Sequence, residues 1–348
     1  MRTAVVLGTN LVVGTAVLVY VLSRYGAPAL VLLATRPEIG LLLAFVGAAA
    51  GALVLYALRW QVLLVGLGAR HRLLHLAAYR AAAQSLNVLI PSGRLGGEPV
   101  RALLLVRDGA PGTSAIASVA VDRTLEMAAA APFACGYAAL LLRRGVPELA
   151  GAFVTVTLGA LAVFVGLAVT VRRLRRGAGL VTALARATRL DRVRFVQGQM
   201  EVLGAAEDQA ARLVAQRGRL ARAFGAGVGA NPVVLGEYGL LLAAFGLPAG
   251  PLAVVAAIFA SGAAHSLPVP AAVGVLEGAE MWLFATLGHP PEVGLAVGLA
   301  VRLRELVWIL PGVVYLVGRG LASPLARRSW HPGAPAPEPG GAPPPRQP

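Results

Sequence analysis

The chain has 348 residues, of which 57% are hydrophobic and 14% are charged, and its formal net charge is +15. Soluble domains contain about 45–50% apolar and about 25% charged residues, so an ordinary cytosolic enzyme is not expected. A basic nucleic-acid-binding protein would not be this apolar, and we attribute the charge to a membrane surface. The basic residues are all Arg and the only Cys is Cys135, so Lys chemistry, an intramolecular disulfide and a Cys-based metal site are excluded.

Six apolar stretches are long enough to cross a bilayer, which takes about 20 residues of helix. In chain order they are Ala4–Leu22, Gly40–Leu58, Ala115–Leu142, Ala150–Val171, Phe224–Leu247 and Val293–Val317. Arg59 and Trp60 close the second stretch, as interfacial anchors would. Charged residues interrupt the third and the sixth stretches.

Two further apolar stretches, Leu73–Val106 and Pro251–Leu287, are broken in the middle. Pro91–Pro99 interrupts the first stretch, and His265–Pro270 with Gly274 interrupts the second. Pro and Gly at this density end a helix, and the flanking pieces are too short to span a membrane singly. We therefore predict that each stretch is a re-entrant hairpin of two part-helices.

The distribution of Arg predicts the orientation in the membrane. With the N-terminus inside, three, twelve and three Arg fall in the inner loops 59–72, 172–222 and 318–328. Two, two and none fall in the outer loops 23–39, 143–149 and 288–292. This excess predicts that both termini are cytoplasmic, provided that each hairpin returns to the side from which it enters.

Two segments are polar or of low complexity. The Arg-rich segment 172–222 has helix-like spacing of apolar residues, so we predict amphipathic helices on the cytoplasmic face, near anionic headgroups. Pro, Gly and Ala dominate 332–348, and we predict a disordered tail. The transmembrane domain would then span residues 1–331.

The chain contains an internal repeat at an offset of 179 residues. Helix breakers and charged residues match without gaps, which is informative in a chain rich in Ala, Leu, Val and Gly. The matches include Pro91 with Pro270, Glu98 with Glu277, Arg123 with Arg302, Glu126 with Glu305 and Pro132 with Pro311. With the predicted orientation, the two units are inverted copies, as in many transporters. Two unrelated Pro-broken helices that align by chance are the alternative.

The first break, Pro91–Arg101, has the composition of an anion site. Its Gly residues allow tight turns, and the free N–H groups at the start of the following helix carry the positive end of a helix dipole. Arg94 and Arg101 add full charges, which suits a phosphate or carboxylate headgroup. Glu98 balances the Arg residues or binds a cationic headgroup. An interfacial turn with solvated Arg is the alternative.

Charged residues also occur inside the predicted spans. Asp122, Arg123 and Glu126 share one helical face, and Arg302 and Glu305 repeat the pairing. Such ions must face a partner or water, because each costs about 2.5–3.5 kcal/mol at the bilayer centre. They either bind a substrate or form salt bridges that lock helices together.

Glu237, His265, Ser266, Glu277 and Glu280 form the polar set of the second half. Glu277 mirrors Glu98 at the start of a part-helix, and His265 relays protons or fills a polar gap. We take as candidate lipid-binding residues Asn87, Arg94, Gly96, Gly97, Glu98, Arg101, Asp122, Arg123, Glu126, His265, Glu277, Arg302 and Glu305. We expect no metal, no cofactor and no catalytic group, since no nucleophile–base pair or metal set is visible.

These residues resemble a known family. Arg59-Trp60-Gln61-Val62-Leu63-Leu64, the run Asn87–Arg101 and Val121-Asp122-Arg123-Thr124-Leu125-Glu126 are similar to the flippase-like transmembrane domain of lysylphosphatidylglycerol synthases. Gly274-Val275-Leu276-Glu277 and the spacing of Arg302 and Glu305 fit the C-terminal half of that family. The second break is less rich in Gly than is usual in the family.

The resemblance covers about residues 1–320 and implies translocation of a lipid, often an aminoacylated phospholipid, in a bacterial or archaeal plasma membrane. We expect a stand-alone member without the aminoacyl-transferase domain, so the lysine-transfer activity is not carried over. In fold class, we expect an all-α polytopic membrane protein with about six full spans and two re-entrant broken-helix hairpins, arranged as inverted repeats.

The sequence leaves two functions open. The first is a flippase-like transporter for an anionic, aminoacylated or polyprenyl-linked lipid, with the headgroup in a midplane cavity. The second is a non-transporting subunit that docks a lipid- or envelope-biosynthesis enzyme through 172–222. No nucleic-acid partner is expected, and a homo-oligomer and a partner enzyme both stay open.

Overall fold

The fold is all-α, as predicted. The structure, a computed structural model, describes residues 2–35, 37–89, 96–143, 150–177, 179–189, 197–267 and 269–319, with no strand in these ranges. Its twelve α-helices are α1 (Arg2–Ala34), α2 (Ile39–Gly66), α3 (Leu73–Leu89), α4 (Glu98–Arg107), α5 (Gly112–Arg143), α6 (Ala150–Arg175), α7 (Val181–Ala187), α8 (Met200–Ala215), α9 (Arg217–Ala244), α10 (Pro251–Ser266), α11 (Val275–Thr286) and α12 (Pro291–Gly318).

Five helices are long and apolar enough to cross a membrane, judged by length and composition over the described residues. They contain Leu11–Ala34, Ile39–Gly66, Gly112–Arg143, Phe153–Arg175 and Arg217–Ala244. The sixth predicted span corresponds to α12, whose 28 residues extend for about 42 Å. Its length is sufficient, but the three charged residues Arg302, Arg304 and Glu305 are clustered near its middle.

The predicted ends of two spans were wrong. Helix α1 continues past Leu22 to Ala34, through Pro28. Helix α2 continues past Leu58 to Gly66, so Arg59 and Trp60 lie inside the helix and are both fully buried. They are therefore not interfacial anchors. A charge or an aromatic residue after an apolar run resembles a span end, and only tertiary contacts reveal that the helix goes on.

Both broken stretches form two part-helices, as predicted. The first consists of α3 and α4, and Gly97 precedes α4 with Pro99 in its first turn. The second consists of α10 and α11, and Ala271 and Ala272 have φ values of 49° and 48° in the break between them. These are left-handed conformations that non-Gly residues rarely adopt, so the surrounding structure must hold this break in place.

The bundle has two large apolar cores. One core centres on Trp60, Leu76 and Leu105 of α2–α4, and the other on Leu241 and Phe284 of α9 and α11. The second core also includes Phe45 and Leu141 of the first half. In each half the second part-helix packs on the next long helix, α4 on α5 and α11 on α12. The two units thus share the order of their elements, which agrees with the repeat. Their inverted orientation in a membrane stays a prediction.

The polar segment 172–222 contains the last turn of α6, helices α7 and α8, and the first turns of α9. Helix α8 buries Ala206, Leu213 and Val214 against α5 and α6. Residues 217–222 belong to the long helix α9 and are not a separate amphipathic helix. The tail 332–348 lies outside the described residues.

Candidate functional site

A polar cavity of about 230 Å³ lies between the two halves of the helical bundle. Helices α2–α5 line it from the first half, and α9, α10 and α12 line it from the second. The cavity is at mid-depth in the bundle, because Glu126 lies near the middle of α5 and Arg304 near the middle of α12. Its charged lining consists of Arg80, Glu98, Arg101, Arg123, Glu126 and Arg304.

Asp122 is the centre of the ion-pair network at this cavity. Its carboxylate accepts hydrogen bonds from Arg59 Nε at 2.6 Å, Arg80 Nη1 at 2.7 Å and Arg101 Nη2 at 2.6 Å. The three arginines belong to α2, α3 and α4, so one carboxylate in α5 joins four helices. Because Asp122 is fully buried and its two oxygens are occupied, it positions the arginines and does not itself line the cavity.

Glu126 links this network to the cavity surface. Its Oε2 accepts hydrogen bonds from Arg59 Nη2 and Arg80 Nη2, both at 2.6 Å. Its Oε1 accepts one from Arg123 Nη1 at 2.7 Å. Unlike Asp122, Glu126 has part of its side chain exposed. One turn of α5 therefore presents an inner carboxylate that binds arginines and an outer one at the cavity.

The start of α4 is fixed by side chains of two other helices. Asn87 Oδ1 at the end of α3 accepts the Gly97 N–H at 2.7 Å. Arg101 Nη1 donates to Glu98 Oε2 at 2.9 Å, and the Arg101 guanidinium lies 4.1 Å from the ring centroid of Trp60 in α2. A guanidinium at this distance from an aromatic face gains cation–π attraction. Asn87, Glu98 and Arg101 line the cavity together.

The first-half network has one positive charge in excess. Four arginines, Arg59, Arg80, Arg101 and Arg123, face the three carboxylates of Glu98, Asp122 and Glu126. Among the described residues, Nε of Arg101 and Nε of Arg123 have no hydrogen-bond partner. The excess charge and the free donors are the features that a bound anion requires.

Helices of the second half form the opposite wall. Glu237 in α9 is fully buried and accepts hydrogen bonds from Arg304 Nη2 and Trp308 Nε1, both at 3.0 Å. Tyr238 donates its hydroxyl to Ser261 Oγ in α10 at 3.2 Å. This wall is electrically neutral, because the Arg304 charge is matched by Glu237. It therefore supplies aromatic and hydroxyl groups and no excess charge.

A second charged cluster holds the break between α10 and α11. Arg302 donates to the Ala271 carbonyl at 2.5 Å and to the Ala272 carbonyl at 3.0 Å. It also bonds Glu277 Oε1 at 2.8 Å, and Glu277 Oε2 accepts the Gly274 N–H at the start of α11. Arg302 therefore fixes the strained left-handed residues, and Glu277 caps the helix that follows them.

His265 extends this cluster to the end of α10. Its Nε2 lies 2.7 Å from Glu305 Oε1, and its Nδ1 lies 2.8 Å from the Ser261 carbonyl oxygen. A carbonyl oxygen only accepts, so Nδ1 carries a proton. Glu305 also accepts from Arg302 Nη1 at 2.9 Å. His265 thus makes specific contacts and joins α10 to α12.

The predicted site residues fall into three groups. Asn87, Glu98, Arg101, Arg123 and Glu126 line the cavity. The group without a place in the lining comprises the buried Asp122, the turn residues Gly96 and Gly97, and the second-half cluster His265, Glu277, Arg302 and Glu305. Arg94 lies outside the described residues. The second-half cluster, which we expected to share this pocket, is not part of its lining, and its part in lipid binding stays a prediction.

Sequence reasoning missed the roles of several residues. Arg59 was interpreted as an interfacial anchor and Arg80 was not singled out, although both bind Asp122 and Glu126. Arg80 is an isolated charge within an apolar part-helix, which is the signal that could have identified it. Arg304 was noted only as an added charge, and its partner Glu237 lies 67 residues away.

The repeat is visible in the contacts of the matched residues. Arg123 donates to Glu126 at 2.7 Å, and Arg302 donates to Glu305 at 2.9 Å, both across three residues of a long helix. The partners beyond these pairs differ, since the first pair is at the cavity and the second is at a break. The two copies therefore share a local motif and use it differently.

A second, apolar crevice of about 740 Å³ lies between α5, α9 and α10. Its walls include Pro132, Phe133 and Tyr137 of α5, Leu235 of α9 and Val254 of α10. The polar cavity uses the same two helices at Val234 and Tyr238 of α9 and at Ile258 and Ser261 of α10. Both spaces therefore have walls on α9 and α10, one polar and the other apolar.

The comparisons with known proteins agree with this architecture. No curated protein matches the chain. Residues 5–312 match the family model described as the lysylphosphatidylglycerol synthase TM region, which covers most of the chain and both repeat units. The chain is therefore a multi-pass membrane protein related to lipid handling, and it belongs to the lysylphosphatidylglycerol synthase transmembrane-region family.

Proposed function

We propose that the chain is a lipid transporter without enzyme activity, which moves an anionic, aminoacylated or polyprenyl-linked lipid between the leaflets of the plasma membrane. The headgroup enters the polar cavity while the acyl chains stay in apolar surroundings. The observation that carries the proposal is the single excess positive charge of the network around Asp122 and Glu126, in a cavity at mid-depth in the bundle.

The charge of the network matches a phosphate diester. A diester carries one negative charge, which equals the excess. Arg123 lines the cavity with part of its guanidinium side chain exposed, so it can donate to the oxygens of the diester. Charge-assisted bonds from Arg to phosphate are among the strong hydrogen bonds of proteins. The remaining charges are paired, so a ligand with one negative charge would leave the cavity neutral.

The apolar crevice supports a lipid over a water-soluble anion. It has walls on α9 and α10, two of the helices that also line the polar cavity, and it is lined mostly by apolar side chains such as Leu235 and Val254. A soluble phosphate would gain nothing from this surface. An acyl chain can lie against this surface without exposing CH₂ groups to water, each of which would cost about 0.8 kcal/mol.

Movement of one unit against the other would expose the cavity alternately to the two sides. The support for this movement is that the cavity lies where the two units meet, as the substrate site does between the repeats of many transporters. The break between α10 and α11, held by Arg302, is a candidate hinge within the second unit. In this proposal both termini are cytoplasmic, in accordance with the distribution of Arg.

The test is reconstitution of the full chain in liposomes with labelled anionic, aminoacylated and polyprenyl-linked lipids. We expect the wild type to accelerate leaflet exchange of at least one of these lipids over protein-free vesicles. Arg123→Gln, which removes the excess charge, is expected to lower this rate at least tenfold. That factor corresponds to about 1.4 kcal/mol of lost binding in the rate-limiting state.

The matched control is Arg222→Gln, which removes an exposed Arg from the first turns of α9. It should exchange lipid at the wild-type rate. No acceleration for any of the three lipids would refute the transport proposal. It would also favour the alternative of a docking subunit. In that case deletion of α8 would reduce the cellular function of the chain more than Arg123→Gln does.

A further inference from the structure

Glu280 is a buried carboxyl group that the ion-pair networks do not use. It lies in α11, one turn after Glu277, and its side chain is fully buried. Neither carboxyl oxygen has a hydrogen-bond partner among the described residues. Glu280 also has no part in the lining of the polar cavity.

Helix α12 packs on this side of α11. At the contact it has glycines, which have no side chain that could donate a hydrogen bond to Glu280. A Cβ atom added to Gly298 of α12 would lie 3.3 Å from Glu277 Cα and 3.8 Å from Glu280 Cβ. Gly294, one turn earlier, approaches the backbone of Glu280 and Met281. This close approach leaves no room for a side chain of α12 to pair with Glu280.

The charged groups on the surrounding helices are already engaged or point elsewhere. His265 of α10 and Glu305 of α12 bind each other, and Arg302 binds Glu277 and Glu305. The other charged side chains of α12 are Arg304, which binds Glu237, and Glu292, which is in its first turn. Arg24 of α1 is exposed, while Tyr25 packs against the core.

For such a carboxyl group, the neutral acid has a lower free energy than the carboxylate. Removing an ionised carboxylate from water costs several kcal/mol even after relaxation, and here a partner that would offset this cost is not found in the described part of the chain. Glu277, one turn away, adds the repulsion of a like charge. Glu280 therefore holds a proton in this conformation, and it can lose that proton only if its surroundings change.

Loss of the proton would act on the break between α10 and α11. A negative charge on Glu280 would repel the carboxylate of Glu277, one turn away, and shift it relative to its partner Arg302. Arg302 also holds the carbonyls of Ala271 and Ala272, so its displacement would release the strained residues of the break. Protonation of Glu280 and the conformation of the break that Arg302 holds are thus coupled by electrostatics.

We propose that Glu280 is a proton-binding site that couples proton movement to lipid transport. A proton from one side of the membrane forms the O–H bond of the Glu280 acid, and the same proton leaves to the other side when the second unit changes conformation. This inference rests on the proposed transport function for its coupling step, but the proton site itself is defined by burial and missing partners.

The proton site is tested with dicyclohexylcarbodiimide, a hydrophobic reagent that adds to protonated carboxyl groups in apolar surroundings. The full chain in phosphatidylglycerol vesicles is treated near neutral pH and analysed by mass spectrometry. We expect an adduct on Glu280 that decreases as the pH rises and is absent from Glu280→Gln. Glu201→Gln, which changes an exposed carboxylate of α8, should keep the adduct. No adduct on Glu280 at any pH would overturn the inference.

The coupling is tested in the liposome exchange assay with a pH gradient. We expect the gradient to change the wild-type rate several-fold and to have no effect on Glu280→Gln, which mimics the protonated acid and should unfold at the wild-type temperature. The coupling would be refuted if the wild-type exchange rate were the same with and without the gradient. It would also be refuted if the gradient changed the rate of Glu280→Gln. If no lipid moves at all while the adduct forms, the transport function fails and the proton site stands.

Discussion

Replacement of Arg59 by Met tests whether the buried network holds the first unit together. Arg59 is fully buried and makes two charge-assisted hydrogen bonds of 2.6 Å, one to Asp122 and the other to Glu126. Each such bond contributes about 1.5–3 kcal/mol. Their sum agrees with the roughly 3–5 kcal/mol that is lost when one partner of a buried ion pair is removed.

The measurement is the apparent unfolding midpoint of the purified chain in detergent. We expect Arg59→Met to lower this midpoint by at least about 5 °C, since each 1 kcal/mol corresponds to about 2–4 °C in domains of moderate size. Arg24→Met is the control, because Arg24 is an exposed Arg of α1. An Arg59→Met midpoint equal to that of wild type would refute the structural role of the network.

A double substitution separates loss of the pair from loss of packing. Arg59→Met with Asp122→Asn removes a cation and an anion together, so the net charge of the network is unchanged. Exchange of a whole buried pair for neutral groups is often tolerated. We expect the double variant to unfold at a higher temperature than Arg59→Met alone. A further decrease, additive with that of the single variant, would show that the two residues do not interact.

Three further outcomes are expected. Gly97→Ala should lower the yield of folded protein, because the new Cβ would overlap the backbone of α3, whereas Gly225→Ala, whose Cβ would meet nothing within 4 Å, should not. Arg302→Gln should speed amide hydrogen exchange in 269–274, measured by mass spectrometry, since it removes bonds to two carbonyls of the break. Trp60→Phe should lower the unfolding midpoint by an amount equivalent to about 1 kcal/mol, for the lost bond to the Ser118 hydroxyl.

Sequence patterns located the helices and the breaks because those depend on local chemistry. A long apolar run predicts a span, and Pro with Gly predicts its interruption, whichever residues lie opposite. The pairing of Asp122 with Arg59, Arg80 and Arg101 depends on the side-by-side arrangement of four helices. No pattern within one helix carries that information, so the buried Arg59 resembled the end of a span.

The spacing of the repeat predicted which residues correspond, but not what each copy does. Arg123 and Arg302 match in sequence and make the same pair with a Glu three residues later. Arg123 lines the cavity, while the remaining donors of Arg302 are used by carbonyls of the break and by Glu277. In the second break, Ala271 and Ala272 have left-handed φ values, and Arg302 donates to the carbonyls of both.

This divergence has a consequence for how the two units would work together. The first unit holds the excess charge, and its network joins four helices around Asp122, so in the proposed mechanism it is the rigid half that would bind the anion. The second unit presents a neutral wall at Arg304 and Glu237, and behind that wall it has a strained break held by one Arg. A transporter needs a binding surface that keeps its geometry and a part that moves with little electrostatic cost. A neutral wall can move away from a bound anion without breaking an ion pair to it. The second unit is therefore the half that we expect to move.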